Sequence, residues 1–285
     1  MGEFASRHGL PALGAGVGLR FEHIDEILAE PPAVAWFEVV SENYMHRGGL
    51  VRRHIRAAAE RWPIVCHGVS LDLGGTAPLD PEYLRRLKAF ADDVASPWVS
   101  DHLCFTGVAG VALNELLPIP RTDEAVRHVA RRVRQVSETL ERPFLVENVS
   151  SYLDPSPAGA MDEAAFATAV TEEADCGLLL DMNNLHVNSV NFGFDAFEML
   201  CRMPLDRVVQ LHLAGPELRG KLLIDTHGSP IREEVWDLVR RGIRRIGPTS
   251  ALVEWDNNMP PLARLLEEHA KTRAILDAAF APAGT

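Results

Sequence analysis

The chain has 285 residues, 47% hydrophobic and 24% charged, and a formal charge of −12 from 28 Lys and Arg against 40 Asp and Glu. This is a globular composition with material for a large core, and its acidity argues against nucleic acid as the main partner, because phosphates demand a basic face. No apolar run reaches the ~18 residues of a membrane span, "MGEFASRHGLPALG" at the start has no secretory apolar region, and Cys66, Cys104, Cys176 and Cys201 form no CxxC pair. A cytoplasmic protein with neither membrane nor nucleic-acid partner is expected.

Short apolar or β-rich runs alternate with stretches of helical period. Strands are expected at 14–20, 36–40, 63–67, 98–102, 143–147, 177–181, 207–213 and 251–255. The first, "GAGVGLR", lacks the GxGxxG spacing of a dinucleotide-binding turn, which weakens an open doubly wound sheet. After the third strand, "PEYLRRLKAFADDV" sets Pro81 at the first helical position behind Asp80 as N-cap. Residues 104–120 are long for a strand-to-helix loop and are expected to form a small hairpin or lid. Thr122 caps "TDEAVRHVARRVRQVSETL", whose arginines read as a solvated face. "MDEAAFATAVTEEA", "IREEVWDLVRRGI" and "PPLARLLEEHAKTRAILDAAF" supply further helices. Eight strand–helix units read as one (β/α)8 TIM barrel over residues 1–285.

The strands end on metal-ligand residues. Strand three gives His67, strand four His102, strand five Glu147, and strand six Asp181 with Asn184 just beyond. Strand seven gives His212, followed by Asp225 and His227 in "LLIDTHGSP", and strand eight gives Glu254. A barrel gathers its strand C-termini at one face, where catalysis sits. A single buried His can be satisfied by a carbonyl. All of these together would pack at least four carboxylates side by side, which repel unless cations stand among them. A multinuclear metal site follows, with Glu147 able to bridge two ions. Mixed N/O ligation suits Fe, Mn or Zn, and the residue types alone do not choose.

Other residues at this face are weighed as substrate contacts or as supports. Glu42 and Asn43 in "SENYM" either touch substrate or cap the next helix. Ser150 and Tyr152 in "ENVSSYLD" are candidate substrate contacts. Asp256 shares the face of Glu254 and is the candidate proton relay, or else a support for a ligand. Asp101 points away from the side of His102 and is expected to support rather than ligate. His186 is expected on a loop. No GxSxG elbow exists, which disfavours serine hydrolysis.

"SENYM", "CHGVSLDLGG", "SDHLCF", "LLPIP", "VENVSSYL", "GLLLDMNN", "LHLAG", "LIDTHG" and "EWDNNMPPL" span nearly the whole chain. Together they resemble the DUF692 (UPF0276) family of multinuclear non-heme iron-dependent oxidative enzymes. The resemblance implies a xylose-isomerase-like TIM barrel holding two or three irons (Fe2+/Fe3+), with O2 as cosubstrate. It implies oxidative change of a residue, often cysteine, in a ribosomally made precursor peptide, and a partner protein that binds the peptide's leader. By motif position it assigns ligation to His67, His102, Glu147, Asp181, Asn184, His212, Asp225, His227 and Glu254. The wider barrels include the three-zinc endonuclease IV type, where the position matching Asn184 is a His; the amide here argues against a zinc phosphodiesterase. A divalent-metal sugar isomerase or epimerase needs a Lys or further carboxylate at the strand ends, and no Lys stands there. A non-catalytic metal- or peptide-binding protein is the remaining rival.

Overall fold

The structure, a computed structural model, describes residues 1–108 and 111–281. Its strands in chain order are β1 (Ala15–Gly18), β2 (Phe37–Val40), β3 (Ile64–Gly68), β4 (Val99–His102), β5 (Cys104–Val108), β6 (Val111–Pro118), β7 (Phe144–Glu147), β8 (Gly177–Asp181), β9 (Val208–Leu213), β10 (Glu217–Arg219), β11 (Leu222–Ile224) and β12 (Ser250–Val253). Eight of them close into a parallel barrel in the order β1-β12-β9-β8-β7-β4-β3-β2. The (β/α)8 TIM barrel expected from the alternation is the fold. Among the described residues no helix is long and apolar enough to cross a membrane.

The outer helices form where apolar residues recur every three or four positions. In Asp123–Leu140 the buried row is Val126, Val129, Ala130, Val133, Val136 and Leu140, an apolar stripe that packs on the sheet. Thr122 accepts from the Ala125 N–H and Asp80 from the Glu82 N–H, as their positions predict. One arginine departs from the solvated face expected there. Arg132 is buried and donates to the carbonyls of Ala77 and Asp72, which ties down the connection after β3.

Inside, Trp36, Val65, Trp98, Leu145, Leu179, Val209 and Leu252 fill the lower barrel, and Phe4, Ala5 and Leu10 plug it from beneath. Each buried side chain of this size contributes about 1.5–3 kcal/mol. Strand alternation then sends Val65 and His67, Leu145 and Glu147, or Leu179 and Asp181 to the same side, apolar below and polar above. In β9 the register against β8 shifts between Leu178 and Leu179, leaving Val209 as an extra residue. That bulge lets Val209 join the lower layer while Gln210 and His212 also face inward. In β1 a Cβ at Gly16 would meet the Trp36 ring at 2.4 Å, and one at Gly18 would meet the Arg20 guanidinium at 3.0 Å. The glycines of "GAGVGLR" thus make room for two large side chains.

Residues 104–120 do form a hairpin, β5 against β6; its tip at 109–110 lies outside the described residues. A second hairpin, β10 with β11, is not expected from the sequence. His186, expected on a loop, is buried in the helix Met182–Phe192. This helix starts directly at the end of β8 because Asp181 is its N-cap, accepting from the Asn184 N–H.

Candidate metal centre

At the upper end of the barrel the imidazoles of β3 and β4 meet the carboxylate of β7. Glu147 Oε2 is 3.3 Å from His67 Nε2 and 3.2 Å from His102 Nε2. The other ring nitrogens are taken, His67 Nδ1 by Ser100 Oγ at 2.9 Å and His102 Nδ1 by the Gly68 carbonyl at 3.2 Å. Each ring is therefore turned with Nε2 toward Glu147, the outer contact fixing the inner one. From the opposite wall, His212 Nδ1 is 3.3 Å from Glu147 Oε1 and 2.9 Å from Glu254 Oε2, while its Nε2 faces Glu38 Oε1 at 3.0 Å.

The loop after β11 closes the mouth. His227 Nε2 is 2.6 Å from Asp225 Oδ1, and its Nδ1 is 3.4 Å from Glu254 Oε2 and 3.1 Å from Asp256 Oδ2. His227 has φ 47, a left-handed conformation uncommon outside glycine that costs about 1–3 kcal/mol. Its carbonyl accepts from the N–H groups of Asp256 and Asn257, which hold it there. Asp225 takes Ser150 Oγ at 3.1 Å and Asn183 Nδ2 at 2.6 Å, and its N–H donates to the Tyr152 hydroxyl at 3.0 Å.

The charges respond to this crowding. Burial drives His67 well below its ordinary pKa, helped by His102 and His212. In His102 burial is outweighed by Glu147 and Asp101, and the pKa rises to about 9. Burial, then Glu147, pushes the Asp181 carboxyl well above the usual carboxylate range. Asp256 goes the other way: against burial, Arg20 and His227 hold it well below that range.

Whether these residues suit metal ions can be tested on their unpaired atoms. Asp181 Oδ2 and Asn184 Oδ1 are buried without a hydrogen-bond partner among the described residues, and Glu147 Oε2, His212 Nδ1 and His227 Nε2, though at ion-pair distance from their neighbours, make no well-aligned hydrogen bond. Buried polar atoms are nearly always partnered, so five together in one place need a common explanation. Donor atoms within 4.8 Å of one another come from His67, His102 and Glu147, from Glu147, Asp181 and His212, from Asp181, His227 and Glu254, and from Glu38, His212 and Glu254. Ligands about 2.0–2.2 Å from one ion stand at such separations. The groups overlap through Glu147, Asp181, His212 and Glu254, as neighbouring ions sharing ligands would require. The donors fit.

A family model described as RiPP precursor modification enzyme MbnB/TglH/ChrH matches residues 14–277. The chain belongs to that family. A UPF0276 protein of Anaeromyxobacter sp. (strain Fw109-5) is 44% identical over 269 residues, covering 94% of this chain and 95% of the relative. A UPF0276 protein of Shewanella oneidensis is 47% identical over 255 residues, covering 89% and 90%. Among solved structures, D-psicose 3-epimerase from Clostridium cellulolyticum H10 superposes with TM-score 0.61 at 10% identity, covering 93% of this chain and 98% of that one. The probable 3-DHS dehydratase AsbF from Bacillus anthracis gives 0.58 at 11%, covering 92% and 98%. At such identities these two share the fold alone. Membership in the MbnB/TglH/ChrH family makes the chain a RiPP-modifying enzyme type, acting on ribosomally made precursors, and favours neither the phosphodiesterase nor the sugar isomerase.

In this MbnB/TglH/ChrH chain, seven of the nine ligand candidates are joined by the contacts above, and Asp181 joins them through the donor groups. The ninth, Asn184, sits beside Asp181 with its Nδ2 donating to the Asn148 carbonyl at 3.0 Å and its Oδ1 unpaired. Asp101 supports, as its outward direction suggests: its oxygens accept from the N–H groups of His102 and Leu71. Ser150 and Tyr152 contact Asp225. Glu42 is engaged by the Val69 N–H at 2.9 Å and the Tyr83 hydroxyl at 2.6 Å, and Asn43 is exposed. Asp256 is held between Arg20 and His227.

Three further residues join the site in the structure. Glu38, fully buried on His212, is a lone charge inside the apolar run "WFEVV". Arg20 ends "GAGVGLR" and lies 3.7 Å from Glu254 while pairing with Asp256. Asn148, next to Glu147, brackets Asp181 by accepting from its N–H at 2.8 Å and donating to its carbonyl at 3.1 Å. Each was visible as a polar residue at or inside a strand end.

Proposed function

We propose that this MbnB/TglH/ChrH protein is a multinuclear non-heme iron enzyme that uses O2 to oxidise a residue, most simply a cysteine, of a precursor peptide. The observation that carries the reading is the set of overlapping N/O ligand groups that share Glu147, Asp181 and Glu254. His67, His102 and Glu147 would hold one ion. His212 with Glu147 and Asp181 would hold a second. His227, Asp225, Glu254 and Asn184 would complete the centre. Bound iron supplies O2 activation and a site that favours a substrate thiolate over a thiol.

The remaining residues prepare that centre. Ser100 and the Gly68 carbonyl hold the outer nitrogens of His67 and His102, and Glu38 holds His212. Arg20 balances Glu254 and Asp256 at the mouth. Asp256 orients His227, and a proton leaving that side would be relayed through the His227 imidazole with Asp256 as its counter-charge. Ser150 and Tyr152 brace the Asp225 loop, where a peptide would pass. A partner protein that binds the leader would deliver the substrate, in the cytoplasm. No lysine enters this arrangement, which counts against sugar isomerisation.

The test is metal content with activity. Protein produced with iron and kept anaerobic should carry about two to three Fe per chain, with the magnetic coupling of bridged ions in Mössbauer or EPR spectra. O2 uptake should require the precursor peptide encoded nearby and its partner. Full activity of a zinc-only preparation would sink the oxidase reading.

A further inference from the structure

Beside the metal centre, on the same face, lies a cavity of about 170 Å³ between the β5–β6 hairpin, the connection after β7 and the helices Glu163–Ala174 and Met182–Phe192. Leu103, Ile119, Phe166, Phe194 and Met199 form its walls, and the exposed Phe192 its lip.

Three carboxylates border this apolar space, and they differ. Asp154 pairs with Arg121 and Asp162 with Arg202. Glu163 has no basic side chain within ion-pair distance among the described residues. Its oxygens each take one amide, from Asn148 Nδ2 at 3.4 Å and Asn188 Nδ2 at 3.0 Å. A carboxylate offers about four lone-pair sites, so Glu163 keeps acceptor capacity in apolar surroundings. Burial pushes its carboxyl up to about 7, with Asn188 and Asn148 opposing.

Size and chemistry together choose an occupant. A cavity of about 150 Å³ holds one benzene ring, whereas drug-sized ligands need about 300 Å³ or more. One six-membered ring fits here, and Phe192 at the lip suits edge-to-face contact with it. A ring carrying a hydroxyl uses the acceptor that Glu163 leaves free. The cavity is also wired to the ligands. Asn148 follows Glu147, reaches Glu163 with its amide, and holds both the Asp181 N–H and the Asn184 side chain. A side chain seated in the cavity would fix where the rest of a peptide crosses the metal centre.

We propose that this cavity is a specificity pocket for a tyrosine side chain of the precursor peptide, with Glu163 accepting from its hydroxyl. The proposal rests on the peptide-modifying reading above. Phenol is the probe, titrated into iron-loaded protein by calorimetry or NMR. Wild type should bind phenol on the order of ten-fold better than toluene, the worth of about one hydrogen bond. Ala167→Phe, filling the cavity from its wall, should abolish both at unchanged iron content; Ala167→Leu serves if the larger change fails to fold. Glu163→Leu should keep toluene binding and lose the preference for phenol. With the precursor peptide, saturating phenol should raise KM at constant kcat. If phenol binds as described but no precursor is modified, the aromatic pocket stands and a peptide is overturned as its occupant. If a precursor is modified with KM indifferent to phenol and to Ala167→Phe, the pocket is overturned and the enzymatic reading survives.

Discussion

Glu163 shows at one residue how a half-buried carboxyl couples stability to pH. Its pKa is about 7 in the folded protein and ordinary when unfolded. Between those values the folded state keeps a proton that the unfolded state has lost, so stability falls as pH rises through this window. Glu163→Gln removes that dependence. The variant should match wild type near pH 4.5 and exceed it by on the order of 1–3 kcal/mol at pH 8, read as the difference in denaturation midpoint across pH. A constant difference would show that Glu163 stays ionised. Asp256 makes the opposite case, a carboxylate kept charged by Arg20 and His227. Asp256→Asn should leave the fold intact and weaken iron retention about 10–100-fold in chelator titrations, the usual effect of losing an outer contact to a ligand. Unchanged retention would return Asp256 to the relay role alone. These two residues also mark what the sequence makes legible. Ligand types at strand ends could be read directly, because the barrel collects strand ends. Glu38, Asn148 and Glu163 act through partners far away in sequence, and no local pattern announces a partner.

Among the elements, β1 carries two glycines that do different work, although both belong to one short motif. Gly16 yields to the Trp36 ring and Gly18 to the Arg20 guanidinium. An indole locked in the lower core has nowhere to go, so Gly16→Ala should cost about 1–3 kcal/mol by overpacking while the folded fraction binds iron normally. A guanidinium is the far end of a flexible chain and can shift. Gly18→Ala should therefore cost little stability and instead loosen iron by moving Arg20 from Glu254 and Asp256. Thermal melts and metal counts on the same two proteins separate the cases; equal losses in both readouts would contradict the division. Element order and the β5–β6 hairpin were readable because apolar runs and turn residues alternate plainly. The bulge at Val209 was not, since "VVQLHL" reads as simple alternation and only pairing with β8 reveals the extra residue. The helix holding His186 is not legible because it begins at Met182, directly after β8 ends on Asp181, with no intervening turn.

Across the whole molecule, the lower barrel gives stability and the upper barrel spends part of it. Asp181 shows the conflict most clearly. It is fully buried, its Oδ1 caps the following helix, its Oδ2 has no partner, and no basic side chain lies within ion-pair distance among the described residues. Burial raises the Asp181 carboxyl, so without metal the folded protein takes up a proton at neutral pH that the unfolded chain does not bind, which lowers stability. Asp181→Asn keeps the Oδ1 cap and needs no such proton. In the presence of chelator the variant should melt above wild type. With ferrous iron under anaerobic conditions the order should reverse, because a ligand held only by the folded state adds about 4 kcal/mol at a thousand times its Kd, and the variant has lost a shared donor. The crossing of two melting curves is the diagnostic. A variant less stable than wild type even in chelator would mean that Asp181 is accommodated without metal. Equal gains from iron in both proteins would mean that Asp181 is not a shared ligand, leaving the groups around Glu147 and Glu254 to hold separate ions. The predicted reversal ties the acidic crowding at the strand ends to a single cause: charges placed for cations, at a stability cost that the closed barrel below can absorb.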